Sequence, residues 1–272
     1  MRNGGELMRV IVVENSEDND ERLQKNPRYE VLDCHENTGF AGGCNAGIAR
    51  LSEQGVTHFL LLNNDAVLLP GCIDHLTAAF DREPHAGIIA PAVIRGDGSI
   101  ESVGIRINRI TGRHRLIGYG DHVSLAGTFR QVEAATGTAM LISKTCFEKT
   151  GGFDARLFCY FEDVDFCYRA KNAGFSIHVE PAARVQHLKD GISPEEIYYS
   201  CRNHLILLQR HMPQTIGGRI QAGFVSGLYR LYLARSGMRH SVDHKKALRQ
   251  AIHDANPGVR RLGRRTTLKQ ED

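Results

Sequence analysis

The feature that most limits the fold is an alternation of short, branched apolar runs with segments of helical period. "MRVIVV" (8–13) leads into the polar run "ENSEDND" and predicts a buried strand ending in a loop. "YEVLDC" (29–34) predicts a second strand, and "AGGCNAGIARLSEQG" (41–55) a helix stopped by Gly55. "HFLLLNNDAVLLPG" (58–71) is a strand that runs into polar residues. Pro70 then opens a helix with Ile73, Leu76 and Phe80 at helical spacing. "GIIAPAVI" (87–94) is another buried strand. The expected class is α/β, an open and largely parallel sheet with helices on both faces. Ligands of such sheets bind beyond the carboxyl ends of the strands.

The segment 95–135 is rich in Gly and Arg and shows no clear order. "GTAMLISKTCFEKTGGF" (137–153) predicts a strand, a short helix and a Gly-Gly turn; a helix follows over 162–173 and strands over 175–181 and 184–188. After Pro194 the pattern is helical, and Ile216, Ile220, Phe224, Leu228 and Leu231 form an apolar stripe opposite Arg219 and Arg230. Packing onto the main domain is the simpler role for that stripe, a membrane surface the other. The expected domains are 1–193 and a helical, basic extension over 194–272. The formal charge is +3, yet from Arg235 onward ten Lys/Arg face four Asp/Glu, with "RRLGRR" at 260–265 the densest cluster. Such a tail can stay solvated or sit on anionic lipid. No aromatic stacking motif accompanies it, so nucleic acid is not an expected partner. Seven scattered cysteines without a CxxC pair suggest a reducing compartment. With no signal-peptide pattern or spanning apolar run, a cytoplasmic protein is expected. Peripheral contact with the inner face of the membrane is the further expectation.

Chemistry concentrates in the loops. Asn63, Asn64 and Asp65 follow a fully apolar run and should stand at the carboxyl edge of the sheet. An Asp there is either a turn former or part of a metal–diphosphate site, since Mg²⁺ or Mn²⁺ needs only one or two protein carboxylates beside phosphate and water. "ENTGFAGGCNAG" (36–47) places Gly39, Gly42, Gly43 and Gly47 between a strand and a helix. That loop favours an anionic or nucleotide partner, though its spacing is not GxGxxG. In "LFCYFEDVDFCYRAKNAGF" (157–175), Asp165 and Arg169 are four apart and pair across a helical turn. Capping explains one of Glu162 and Asp163 but not both beside an aromatic wall. A carboxylate held there can serve as a general base. His187, in "RVQHLKDGIS", ends a strand that could return it to the same edge.

Taken in order, "ENSEDND", "NTGFAGGCNAGI", "LLLNNDAVLLPG", "GTAMLISKTCFEKTGGFD", "YFEDVDFCYRAKNAGF" and "HLKDGIS" resemble family 2 glycosyltransferases, most closely the rhamnosyltransferase-like and galactofuranosyltransferase-like branch. The resemblance covers about residues 8–210. It implies the GT-A fold of nucleotide-diphospho-sugar transferases, a Rossmann-like mixed sheet flanked by helices. The family usually begins with a further strand and helix ahead of the equivalent of "MRVIVVENSED", and with Met1 only a few residues before it the expectation is a true start upstream, a fragment or a decayed site. The resemblance further implies Asp65 and His187 as ligands of a divalent cation (Mn²⁺ or Mg²⁺), Asp163 as catalytic base, and Glu162 as a positioning or acceptor contact. Glu14, standing where the family favours Asp, and Asn15 match its nucleotide-contacting pair. Asn37, Gly42, Gly43, Asn45, Asn63 and Asn64 line that nucleotide-sugar site, and Gly137 and Thr138 the acceptor side.

The expected function is an inverting, metal-dependent glycosyltransferase that moves a sugar, rhamnose by resemblance, from a nucleotide-diphospho-sugar donor. The acceptor would be a hydroxyl of a cell-surface polysaccharide or lipid-linked glycan precursor. The alternative is a non-catalytic remnant that binds nucleotide-sugar or glycan. A nucleotidyltransferase is a third reading, against which "GTAM" and the Glu162–Asp163 pair speak.

Overall fold

The computed structural model describes residues 2–3, 6–16, 27–108, 113–188, 193–211, 223–225, 227–228 and 242–255. Most of the stripe expected over 214–235 and the whole of the basic cluster 260–265 lie outside the described residues. The chain divides into two compact units. The first comprises Met1–Ile107, His114–Phe158 and Glu162–Lys189; the second comprises Asn108–Arg113, Cys159–Phe161 and Asp190–Asp272.

In the first unit, β1 (Arg2–Asn3) and β2 (Glu6–Leu7) pair antiparallel. β3 (Ile11–Glu14) and β4 (Glu30–Asp33) pair in parallel, with Glu14 opposite Asp33. Then come helix α1 (Gly39–Ser52), β5 (His58–Leu62), β6 (Ala66–Leu68), helix α2 (Cys72–Arg82) and β7 (Ala86–Arg95). The segment without clear sequence order supplies β8 (Ile100–Ser102), β9 (Ile105–Ile107), β10 (His114–Leu116) and β11 (Arg130–Gln131). β12 (Ala139–Ser143), helices α3 (Lys144–Thr150) and α4 (Glu162–Asn172), and β13 (Ser176–His187) complete the unit. Strands 175–181 and 184–188 of the sequence reading are one strand whose register shifts between Glu180 and Arg184, where Pro181 cannot donate to the ladder.

The main sheet has seven strands in the order β11-β13-β7-β12-β5, with β6 on β13 and β8 on β7. It is mixed rather than largely parallel, as the alternation of apolar runs had suggested. β13 runs parallel to β7, but β12 enters between β7 and β5 antiparallel to both. An apolar run carries a face but no direction, and the return through β8–β11 reverses β12. β5, β7 and β13 therefore point the same way. Their carboxyl ends, together with the start of β12, form one edge.

Period-two alternation assigns the two faces. Phe59, Ile142, Ile88 and Ile177 align across four strands and are fully buried. On that side Phe59 meets Phe147 of α3 at 5.8 Å, and Phe166 of α4 stacks on Phe153 at 4.6 Å. On the opposite face Leu60, Leu141 and Ile89 pack with Cys72, Leu76, Ala79 and Phe80 of α2. Helices thus cover both faces.

In the second unit, α5 (Pro194–His211) packs on α6 (Val242–Asp254) through Tyr198, Cys201, Leu205, Ala247, Leu248 and Ala251. The Tyr198 hydroxyl donates to Asp254 Oδ2 at 2.7 Å. The same unit holds Cys159–Phe161: Asn203 Nδ2 donates to the carbonyls of Cys159 at 2.8 Å and Tyr160 at 2.6 Å, and Phe161 stacks on His204 at 5.5 Å. Among the described residues no helix is long and apolar enough to cross a membrane. None of the seven cysteines is in a disulfide.

Candidate active site

The carboxyl edge gathers the polar residues that end these strands. The register of β13 sets His187 opposite Ala66 on one side and Arg95 on the other. Its Nε2 faces Asp65 Oδ1 at 3.2 Å, and the Leu188 N–H donates to the Asp65 carbonyl at 2.8 Å. The other ring nitrogen, Nδ1, lies 2.8 Å from Glu101 Oε2 on β8. Beside Asp65, the Asn63 N–H donates to the Thr138 carbonyl at 3.0 Å. The adjacent Gly137 N–H donates to Asp163 Oδ2 at 2.7 Å. Asp65, His187 and Asp163 are thus tied to one sheet edge through β5, β12 and β13. Asn64, between Asn63 and Asp65, is exposed.

Asp163 begins α4 and accepts a second N–H, from Val164, on Oδ1 at 2.7 Å. Burial raises its pKa above the usual carboxylate range, while the two backbone N–H groups pull it back by holding the anion. Glu162 is only 4% exposed, and its Oε2 is buried without a hydrogen-bond partner. Burial first, and the neighbouring Asp163 charge second, push its carboxyl well above the usual range. The two adjacent acids therefore differ in support: backbone N–H groups hold both Asp163 oxygens, whereas Glu162 Oε2 has no partner. Asp165 pairs with Arg169 Nε at 2.8 Å, as the four-residue spacing predicts. Phe158, Tyr160 and Phe161, just before this pair, all have positive φ, between 64° and 71°. For bulky side chains such backbone costs about 1–3 kcal/mol per residue and clusters at functional sites.

The residues assigned by resemblance to the nucleotide site are largely engaged with protein. Glu14 Oε1 accepts the Ser16 N–H at 3.0 Å. Asn15 Oδ1 accepts from the Thr38 N–H at 2.9 Å, and its Nδ2 donates to the Gly39 carbonyl at 2.9 Å, so this side chain pins the start of α1. Asn37 Oδ1 accepts the Gly39 N–H at 3.0 Å. Asn45 makes a reciprocal pair with the backbone of Phe153, donating at 2.8 Å and accepting at 2.9 Å. The sequence reading gave the glycine loop to close ligand approach. Here the space of a Cβ is filled by protein: 2.6 Å from Thr38 Cβ at Gly42 and 2.9 Å from Val13 Cγ2 at Gly47, with Gly43 against Asn15 and Val13. Close packing of α1 on Val13 of β3 explains Gly47, while Gly42 abuts Thr38 at the start of its own helix.

Asn63 Oδ1, Asp65 Oδ1 and His187 Nε2 are all buried atoms without a hydrogen-bond partner. Although Asp65 Oδ1 and His187 Nε2 face each other within ion-pair distance, their geometry is not that of a hydrogen bond. An oxygen and an imidazole nitrogen suit Mn²⁺, and a cation held by only one or two side chains completes its shell with phosphate and water. Among the described residues no group of three or more His, Cys, Asp or Glu could by itself hold a metal. The donor set therefore fits a cation shared with a diphosphate, not an all-protein cage.

Residues 10–205 match the family described as glycosyltransferase like family 2. The chain belongs to this family. The N-acetylglucosaminyl-diphospho-decaprenol L-rhamnosyltransferase of Mycobacterium tuberculosis is 29% identical over an alignment of 187 residues that covers 61% of this chain. The chain spans only 61% of that relative's length. The dTDP-rhamnosyl transferase RfbF of Shigella flexneri is 25% identical over 270 residues, covering 94% of this chain and 88% of RfbF. Among solved structures, that of GalNAc-T7 with UDP, GalNAc and Mn²⁺ superposes with a TM-score of 0.60 at 12% identity, over 90% of this chain and 48% of the other. That likeness shows the GT-A fold.

Two side-chain contacts escaped the sequence. Glu101 lies in a stretch without clear periodicity, 86 residues from the histidine it meets. Asn203, fully buried on α5, holds two carbonyls of the strained turn that leads into Glu162. No spacing rule links either residue to its partner. An Asn amid apolar helix residues was the one available signal.

Proposed function

We propose that the chain is an inverting glycosyltransferase that uses a nucleotide-diphospho-sugar and a divalent cation. A dTDP-rhamnose-like donor is the first candidate, from the names of its relatives. The observation that carries this reading is the set of orphaned acceptors, Asp65 Oδ1 and His187 Nε2, on the same edge as the backbone-held Asp163 carboxylate. Asp65 and His187 would hold a Mn²⁺ or Mg²⁺ ion, whose charge neutralises the diphosphate as the sugar–phosphate bond breaks. Asp163 takes the proton of an acceptor hydroxyl. That oxygen bonds to the anomeric carbon as the diphosphate leaves from the opposite face. One displacement of this kind inverts the centre and needs no covalent enzyme intermediate. Glu162, whose pKa is raised by burial, would have an O–H to donate to the acceptor in its neutral form.

The acceptor would be a hydroxyl of a polysaccharide or lipid-linked glycan. Peripheral membrane contact through the basic C-terminal residues and a division of roles near residue 193 rest on sequence and belong to the same proposal. The test is turnover of dTDP-rhamnose by wild type and Asp163→Asn. Loss of about 10²–10⁴-fold with an unchanged fold and unchanged donor binding supports a general base. Equal turnover in the variant removes Asp163 from the chemistry. A folded wild type that binds the donor but never turns it over favours the non-catalytic remnant.

A further inference from the structure

We propose that Glu101 is a positioning residue that locks His187 in its Nδ1–H tautomer, so that Nε2 presents a bare lone pair beside Asp65. The inference rests on the reading that a divalent cation binds there. Glu101 Oε2 lies 2.8 Å from His187 Nδ1, a normal distance for an N–H donating to a carboxylate. The proton on Nδ1 leaves Nε2 an acceptor in the neutral ring. Nε2 then faces the Asp65 carboxylate across 3.2 Å, acceptor against acceptor, with the His187 side chain only 5% exposed. Two acceptors so placed repel unless a cation lies against both. The two facing atoms are themselves buried, although the Asp65 side chain as a whole is 40% exposed. Were the proton on Nε2 instead, the ring would donate to Asp65, and Glu101 would face a bare Nδ1. The carboxylate on the Nδ1 side therefore decides which atom the edge offers to a metal, as outer-shell carboxylates do at histidine-ligated sites.

The fold has a specific means of delivering this carboxylate. β8 pairs antiparallel with β7, Ile94 opposite Ile100 and Val93 opposite Ser102, with a register irregularity between Val93 and Ile94. Ile100 and Ser102 are buried. Glu101, between them, points to the other face of the strand and reaches His187 beyond β7. A one-residue slip of β8 would exchange Glu101 for a neighbour of the opposite face.

The test has two readouts. In metal-free protein with ¹⁵N-labelled histidine, the neutral His187 ring should show the Nδ1–H signature in wild type. Glu101→Ala should shift it toward Nε2–H. Mn²⁺ affinity, read by the free-ion electron paramagnetic resonance signal with dTDP as probe, should weaken about 10–100-fold in Glu101→Ala. Glu101→Gln, whose amide oxygen still accepts from Nδ1, should recover part of that loss and guards against misfolding of the alanine variant. An Nε2–H ring in wild type overturns the inference. So does unchanged Mn²⁺ affinity in both variants while wild type binds normally, and this outcome leaves the cation reading standing. A wild type that binds no Mn²⁺ with or without dTDP overturns the cation reading itself, and this inference with it.

Discussion

Asn45 separates ligand binding from architecture. Its side chain lies in the middle of α1 and clasps the Phe153 backbone with hydrogen bonds of 2.8 and 2.9 Å. Phe153 is 4% exposed and its ring packs on Phe40, Phe147 and Phe166, so water has little access to the groups Asn45 satisfies. Asn45→Ala strands one N–H and one C=O, each at about 1–3 kcal/mol. Alanine's better helix propensity returns about 0.5 kcal/mol. The net loss is about 2–5 kcal/mol, or a fall in melting midpoint of about 5–15 °C for a domain of this size. Asn45→Asp should lose as much, because the oxygen replacing Nδ2 confronts the Phe153 carbonyl. Thermal and urea unfolding measure the loss, and donor KM, measured below the melting range, should stay at the wild-type value. An alanine variant that melts with wild type while its donor KM rises tenfold would refute this account and return Asn45 to the nucleotide.

Chelation of divalent cations should abolish turnover, and added Mn²⁺ or Mg²⁺ should restore it; full activity in excess chelator would remove Asp65 and His187 from the chemistry. Glu162 makes stability depend on pH. Its folded pKa is raised by burial and by Asp163, so the folded state holds the proton more tightly than the unfolded chain. Stability is then greatest below the ordinary glutamate pKa and falls as pH rises through the raised folded value. Glu162→Gln should flatten that slope in urea titrations across pH and should match or exceed wild-type stability on the alkaline side. A steeper fall in the variant would contradict a buried Glu162 with one unpartnered oxygen.

Local physics made much of the chain readable. Branched apolar runs became β3, β5 and β7, and helical spacing after Pro70 became α2. The four-residue interval between Asp165 and Arg169 became an ion pair. Each depends on residues within a turn or two, whose burial pattern and backbone preference are written in order along the chain. The motif order also told correctly which family the chain belongs to. Asn15 and Asn45 show the limit of reading residue type: an amide competent to bind a nucleotide is equally competent to bind a backbone, and composition does not distinguish the two.

What the sequence determined alone was the set of elements and the chemical stock of the edge, because periodicity and side-chain type are local properties. Tertiary structure alone decided the direction of β12, the burial of Glu162 and the Gly137 N–H that supports Asp163 beside it, and the meeting of Glu101 with His187. Strand direction, register and desolvation depend on partners distant along the chain, and they exist only once the sheet has closed around its core.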